Sequence, residues 1–142
     1  MPGSPLDDNL CWLLSRASQG LSAELGEALR EVGLSTRAHM VLEAAAAGRH
    51  SQIEIARAVG LDKTTMVATV DELEREGLVE RTRLPNDRRV HVVEVTSAGR
   101  TKLREAGSVM DAVRDDVLAH LPARQREAFV GALSALVHER LT

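Results

Sequence analysis

Apolar residues recur every three or four positions near the start of the chain, the period of a helix with one buried stripe. Asp7 or Asp8 is expected to cap this first helix, and Gly33 to end it. The residues of the stripe are Leu10, Leu13, Leu14, Ala17, Leu21, Leu25, Ala28 and Leu29.

Three shorter helices are predicted next, each bounded by a capping side chain and a glycine. The third helix of the chain is expected to bury its apolar side, formed by Ile53, Ile55, Ala56 and Val59. The expected bounds are Ser35 or Thr36 to Gly48, Ser51 to Gly60 and Asp62 to Gly77, with Glu54 placed to close a capping box on Ser51.

After Gly77 the apolar residues alternate in part, which indicates β-strands. The strands are expected at 78–83 and 90–95, with turn-forming residues at 84–89 between them. This predicts a basic β-hairpin, because residues 79–91 contain four arginines and only two acidic residues. They are Arg81, Arg83, Arg88 and Arg89, against Glu80 and Asp87.

Helical spacing returns after the hairpin, with a fifth helix capped by Thr96 or Ser97 and a sixth opened by Pro122. The predicted fold class is mainly α with a small β-hairpin wing: a winged helix-turn-helix plus a helical dimerisation region. The expected division is 1–34 (dimerisation), 35–98 (DNA binding) and 99–142 (dimerisation), within one structural domain. The wide apolar faces of the first, fifth and sixth helices favour a homodimer, unless those helices pack only on one another and on the winged unit.

Composition narrows the class of protein. The chain has 142 residues, enough for a substantial core, and its only aromatic residues are Trp12 and Phe129. No window predicts a membrane span, and the N-terminus does not resemble a secretory signal, so a cytoplasmic location is expected. The single cysteine, Cys11, excludes an internal disulfide, and no metal or cofactor is expected.

Two short helices joined by a tight turn form a helix-turn-helix, whose second helix enters the major groove of DNA. In residues 63–76, Met66, Val70 and Leu73 share the core side, while the opposite side is small and uncharged near its start. Threonine hydroxyls and the methyls of Val67 and Ala68 suit base edges and thymine methyls. A merely solvated helix face is the alternative.

The run from Asp62 to Arg81, D-x-T-x-M-V-x-x-x-D-x-L-E-x-x-G-L-V-x-R, resembles the MarR family of winged helix-turn-helix regulators. So do the segments 85–89 (PNDRR) and 95–99 (VTSAG). The resemblance implies a homodimeric regulator, usually a repressor, that releases a pseudo-palindromic operator on binding a small phenolic or lipophilic ligand or on oxidation. It also implies that Arg89 enters the minor groove and that Asp87 holds it; otherwise Asp87 is a turn former.

Pattern and resemblance together predict a DNA-contacting set on the helix-turn-helix and the hairpin. Its members are Ser51, Gln52, Lys63, Thr64, Thr65, Val67, Ala68, Arg75, Arg81, Asp87, Arg88 and Arg89.

The signal that controls such a regulator is open between two hypotheses. By analogy with the family, a ligand pocket would use Trp12, Arg16, His39 and Met40, although Trp12 also suits a core position and His39 a surface one. Alternatively, Cys11 near a helix start resembles the cysteine of the hydroperoxide-sensing branch, but this chain lacks the tyrosines that hold that cysteine.

Two other classes of protein fit the sequence less well. An enzyme is disfavoured because the chain has no Gly-rich phosphate loop and no His-Glu-x-x-His motif, and its histidines are scattered. A winged-helix module that binds proteins and not DNA is disfavoured by the basic hairpin.

Overall fold

The computed structural model describes residues 3, 5–48 and 50–141, which form six helices and a small antiparallel sheet. None of the described helices is both long and apolar enough to cross a membrane. In chain order the elements are α1 (Leu10–Glu31), α2 (Thr36–Ala46), β1 (His50–Ser51), α3 (Gln52–Val59), α4 (Lys63–Arg75), β2 (Val79–Arg83), β3 (His91–Val95), α5 (Ser97–Leu118) and α6 (Ala123–Glu139).

The start of α1 differs from the prediction. Asn9 is the cap, and its side chain accepts a hydrogen bond from the Trp12 N–H at 2.9 Å. Asp7, one of the two expected caps, instead accepts from the Gly3 N–H at 2.9 Å. Three consecutive residues that can all cap a helix do not fix its start, so only the location near residue 9 was predictable.

The stripe of α1 was expected to be buried, and in the single chain it is not. All of α1 lies within the described residues, and only Leu29 is buried there, while Leu10, Leu13 and Leu21 are exposed. The periodicity correctly predicted an apolar face, and the described residues cover that face only in part, most fully at Leu29.

The helix-turn-helix follows the predicted caps closely. Ser51 and Glu54 form the capping box, and the Asp62 side chain caps α4. Gly60 and Gly77 end the two helices with φ of 73° and 75°, a left-handed conformation in which a side chain would be strained. These local signals therefore set the length and spacing of the two helices.

The hairpin is present, and a third strand that was not predicted joins it. β3 is central, with β2 on one side and the two-residue β1 on the other. The register pairs Val79 with Val95 and Arg83 with His91 across the hairpin, and Ser51 with Val92 on the other edge. Ser51, the residue before α3, thus belongs to the same sheet as the wing. We define the wing as β2, β3 and residues 84–90.

A single core lies under the winged helix, built from aliphatic side chains of α1, α2, α3, α4, the wing and α5. Ile53 was expected in it and is instead 60% exposed, because it lies on the outer side of α3. The buried members are Leu29, Leu34, Ala38, Val41, Leu42, Ala45, Ile55, Met66, Val70, Leu73, Leu78, Val79, Val93 and Ala106.

The base of the wing is joined to the start of α5 by close packing. The Thr96 hydroxyl donates to the Gly77 carbonyl at 2.6 Å and accepts from the Gly99 N–H at 3.0 Å. A Cβ on Gly99 would collide with the Leu78 carbonyl and lie 2.7 Å from Val95 Cγ1. Gly99 therefore permits an approach that no other residue allows.

The chain divides into two compact units, the first ending at Met110 and the second starting at Asp111. In the second unit α6 is fully described and has no buried residue. The large apolar residues that α6 exposes are Phe129, Val130, Leu136 and Val137. Leu141, which follows the helix, is exposed as well.

Candidate nucleic-acid interface

The outer side of α4 is small and uncharged where the helix begins. Thr64 and Ala68 are exposed and Val67 is half-buried, whereas Met66 and Val70 on the opposite side are fully buried. Lys63 and Arg75 are exposed at the two ends of the helix. Cations at the ends and methyl groups between them can meet phosphates and base edges, respectively.

Thr65 lies in the same turn but has a structural task. Its N–H and its hydroxyl both donate to the Asp62 carboxylate, at 2.8 Å each. These bonds lower the pKa of Asp62, the backbone bond contributing most. The Thr65 hydroxyl therefore donates its proton within the helix cap, and its oxygen remains able to accept a hydrogen bond from a base.

Ser51 and Gln52 lie at the start of α3. The Ser51 side chain accepts from the Glu54 N–H at 3.2 Å, and the Ser51 N–H donates to Glu54 Oε2 at 2.7 Å. The second bond is the largest cause of the lowered pKa of Glu54. Ser51 is thus positioned by the capping box, and Gln52 follows it on the first turn.

The tip of the wing carries two exposed arginines, and Asp87 holds one of them, Arg89. Asp87 Oδ1 accepts from the Arg89 N–H at 3.0 Å and from Arg89 Nε at 3.2 Å. The pKa of Asp87 is lowered, first by the side-chain bond and then by the backbone bond. The Arg89 side chain is nevertheless 92% exposed. Arg88 is exposed as well, so the tip presents two cations to solvent.

Arg81 differs from the arginines at the tip. Its Nη2 lies 2.6 Å from Asp71 Oδ1, and its backbone N–H donates to Glu74 Oε2 at 2.9 Å. Its side chain is only 19% exposed. Sequence reasoning listed Arg81 among the DNA contacts and did not identify Asp71 or Glu74 as its partners, although all three lie within the motif from Asp62 to Arg81.

A cleft of about 340 Å³ lies between the starts of α3 and α4 and the wing. Gln52 Oε1 and Arg81 Nε are buried and have no hydrogen-bond partner among the described residues. The cleft brings together six of the predicted DNA contacts with three neighbours; its lining is Ser51, Gln52, Ile53, Lys63, Val67, Arg81, Arg89, Val90 and His91.

The predicted signal residues lie on α1 and α2. On α1, Cys11 and Arg16 are exposed and Trp12 is half-buried. On α2, Met40 is exposed, whereas His39 is 6% exposed and belongs to the interior, so the surface alternative for His39 is wrong. The adjacent residues His39 and Met40 thus differ in burial, since the first is buried and the second is exposed.

Comparisons with known proteins agree with this geometry. The family model described as "MarR family" matches residues 35–91. The transcriptional repressor CouR, solved with a 23-mer DNA duplex, is 31% identical, with a TM-score of 0.79 over 94% of this chain and 95% of that one. CouR of Rhodococcus jostii RHA1 bound to p-coumaroyl-CoA is also 31% identical, with a TM-score of 0.75 over 96% of this chain and 97% of that one.

A third solved structure is a MarR family protein of Mycobacterium tuberculosis in complex with DNA, 28% identical, with a TM-score of 0.78 over 92% of this chain and 98% of that one. Fold and site together define a winged helix-turn-helix protein, a DNA-binding transcriptional regulator. The chain belongs to the MarR family.

Proposed function

We propose that this regulator is a repressor that binds a specific pseudo-palindromic duplex as a homodimer and leaves it when a small molecule binds. The observation that carries the proposal is that one compact unit presents two different surfaces that are suited to DNA. One is the uncharged, methyl-bearing start of α4, and the other is the wing tip with Arg89 fixed by Asp87.

The two surfaces suit the two grooves of B-DNA. The major groove is wide enough for a helix, and a small uncharged helix face can approach its base edges closely. The minor groove of A·T-rich DNA is narrow and strongly negative, which attracts an inserted arginine. The wing tip offers an exposed guanidinium for that groove, and CouR, with a related sequence, has been solved on a duplex.

A homodimer is proposed because apolar residues are exposed in each of the two units. In the first unit Leu10, Leu13 and Leu21 are exposed, and in the second the exposed face of α6 includes Phe129 and Val130. A two-fold dimer matches an inverted repeat whose half-sites lie about one helical turn, roughly 10 base pairs, apart.

Selection from a random duplex library tests the DNA-binding part. We expect enrichment of an inverted repeat with half-site centres about 10 base pairs apart. The matched control is Arg89→Ala protein carried through the same rounds, which should enrich the major-groove bases but lose preference at the flanking A·T steps. No enrichment by the wild-type protein would reject the proposal and favour a winged helix that binds proteins.

The proposed effector is a small lipophilic or phenolic compound bound near Trp12, Arg16, His39 and Met40. The structure of CouR with p-coumaroyl-CoA supports an effector that carries a phenolic ring. Trp12 is the only tryptophan of the chain, so its fluorescence reports on this region without a label. Titration with p-coumaroyl-CoA and with simple phenolic acids should quench it and release the operator at the same concentrations.

A thiol switch at Cys11 is the alternative signal, and its exposure on the first turn of α1 favours it. Peroxide treatment of operator-bound protein separates the two hypotheses. Wild-type release together with retention of Cys11→Ser protein would establish the thiol switch. We expect both proteins to stay bound, because no tyrosine is present to hold and tune the thiol.

A further inference from the structure

We infer that Arg81 is a positioning residue that sets the distance between α4 and the wing, and that it does not bind a phosphate. The inference rests on the proposed function, because its consequence is a fixed separation between the major-groove and minor-groove contacts. It changes the role that sequence pattern gave to Arg81.

Two bonds fix β2 to α4 at Arg81, the third residue of the strand. The guanidinium of Arg81 is bonded to Asp71, and its main-chain N–H to Glu74, at 2.6 and 2.9 Å. Asp71 and Glu74 are three residues apart, so they are neighbours on the helix surface. Side chain and main chain of one residue are thus held by two adjacent carboxylates of the recognition helix, which restrains both the position and the rotation of the strand.

The exposure of Arg81 argues against a phosphate contact. A charge-assisted bond of 2.6 Å between partly desolvated groups is among the stronger polar contacts in a protein. Moving the guanidinium outward to a phosphate would break its bond to Asp71 and leave that carboxylate without this partner. Arg83, two residues further along the same strand, is exposed and suffers no such restriction.

The pair also changes the charge of the surface that faces the groove. Asp71 lies one turn beyond Val67 and its side chain is 46% exposed. An unpaired carboxylate there would repel the phosphates on either side of the major groove. The Arg81 guanidinium neutralises it, so the same ion pair positions the wing and removes a repulsive charge.

The sheet carries the restraint to the tip. Arg81 is paired with Val93 and Arg83 with His91, two residues from Arg89. With this register, β3 and the tip of the wing move together with β2. If β2 is fixed on α4, Arg89 reaches the minor groove at one distance from the bases under Val67, and an operator with another spacing is rejected.

The experiment measures spacing discrimination. The selected operator is compared with duplexes that carry one base pair inserted, or deleted, between the major-groove bases and the A·T element. We expect wild-type protein to prefer the original spacing. In Arg81→Ala and Asp71→Asn proteins this preference should fall by roughly tenfold, because a released wing tolerates the altered distance.

Arg83→Ala is the matched control, since it removes an arginine from the same strand without touching Asp71 or Glu74. It should keep the wild-type spacing preference. The slope of log K against log salt adds a second readout in the double variant Arg81→Ala/Asp71→Asn, which leaves no unpaired charge: it should be unchanged, whereas a lost phosphate contact reduces it by about 0.9. Circular dichroism and thermal unfolding verify that each variant is folded.

The outcomes separate the hypotheses. An unchanged spacing preference in Asp71→Asn protein, or a salt slope lowered by about one in the double variant Arg81→Ala/Asp71→Asn, would overturn the inference and return Arg81 to the phosphate contacts. Because Asp71→Asn retains Arg81, it tests the inference even if Arg81→Ala does not fold. A wild-type protein that selects no sequence would instead reject the proposed function itself.

Discussion

One carboxylate oxygen of Asp87 holds Arg89 at two points, the backbone N–H at 3.0 Å and the side-chain Nε at 3.2 Å. The two bonds stabilise the ionised carboxylate, which is why the pKa of Asp87 is lowered. They also restrict the torsions of an arginine that is otherwise exposed to solvent. Less side-chain entropy then remains to be lost when the guanidinium enters a groove.

Arg89→Ala should weaken operator binding by about 1–3 kcal/mol, because it removes the minor-groove contact. The dimer and the helical content should not change, since the Arg89 side chain is 92% exposed. Arg88→Ala is the comparison: it removes the same charge from the same tip without disturbing Asp87. Equal losses for the two variants would mean that charge alone matters and that the fixed geometry of Arg89 does not.

Asp87→Ala should also weaken binding, although it removes a negative charge near phosphates. Coulomb attraction alone predicts the opposite sign, since losing an acid strengthens the attraction to DNA. The restraint on Arg89 predicts a loss, because an untethered arginine becomes ordered only on binding. Titration of both proteins against one operator at fixed salt distinguishes them. Tighter binding by Asp87→Ala would leave Asp87 with the role of a turn residue only.

Features that depend on near neighbours in the chain were predictable. The Ser51–Glu54 capping box, the Asp62 cap and the glycine that ends α4 each act within a few residues, so the sequence determines them locally. The wing tip is equally local, because Asp87 and Arg89 are two residues apart. The helix-turn-helix and the hairpin followed from these signals and from the change of apolar period at Gly77.

Features that depend on tertiary geometry were not predictable. The strand at His50–Ser51 exists only because Val92 and Val93, about forty residues later, lie beside it. The Asp71–Arg81 pair depends on the angle at which β2 leaves α4, which periodicity does not contain. Likewise, the pattern of α1 revealed an apolar face but not whether this chain or another molecule covers it.

The homodimer can be tested on α6. Phe129→Glu should convert the protein to monomers at micromolar concentration and weaken operator binding, because a charge then lies on an apolar face that a partner would cover. Equilibrium sedimentation gives the mass, and circular dichroism shows whether the helices persist. Glu127→Gln, on the same helix, is the control and should remain dimeric. A wild-type protein with the mass of one chain would refute the homodimer directly.

The stability of the helix-turn-helix should depend on pH through Asp62. Its pKa is lowered in the folded protein, chiefly by the Thr65 N–H. Stabilisation by such a group is fully present above its ordinary pKa and is lost as the pH falls through the lowered folded value. Asp62→Asn keeps a capping side chain that does not titrate. The free energy of unfolding should therefore favour the wild type near neutral pH and converge on that of the variant in acid.

Urea unfolding of both proteins from pH 7 to about pH 3 measures this difference. The pKa values of Glu54 and Asp87 are also lowered, but both residues titrate in each protein and cancel in the comparison. A difference between the two proteins that stays constant over the whole range would show that the charge of Asp62 contributes nothing and that only its hydrogen bonds matter.

The start of α4 should read thymine methyl groups. Among its exposed or half-buried residues after Lys63, Thr64, Val67 and Ala68 carry methyls, and none is an arginine, lysine, asparagine or glutamine, the side chains that pair with guanine or adenine. Replacing one thymine of a half-site by deoxyuracil removes a single methyl and leaves base pairing intact. Where Val67 meets that methyl, binding should weaken by roughly 0.8 kcal/mol, about fourfold.

Val67→Ala protein supplies the other half of the test. At the base that Val67 contacts, this variant should bind the thymine and deoxyuracil duplexes alike, because the side chain that covered the methyl is gone, while other thymines keep their effect. Deoxyuracil placed outside the half-sites controls for changes in duplex stiffness. If no thymine of the half-site responds to loss of its methyl, then polar groups such as Gln52 and Lys63 must read the bases, and the uncharged face of α4 serves only to let the helix approach.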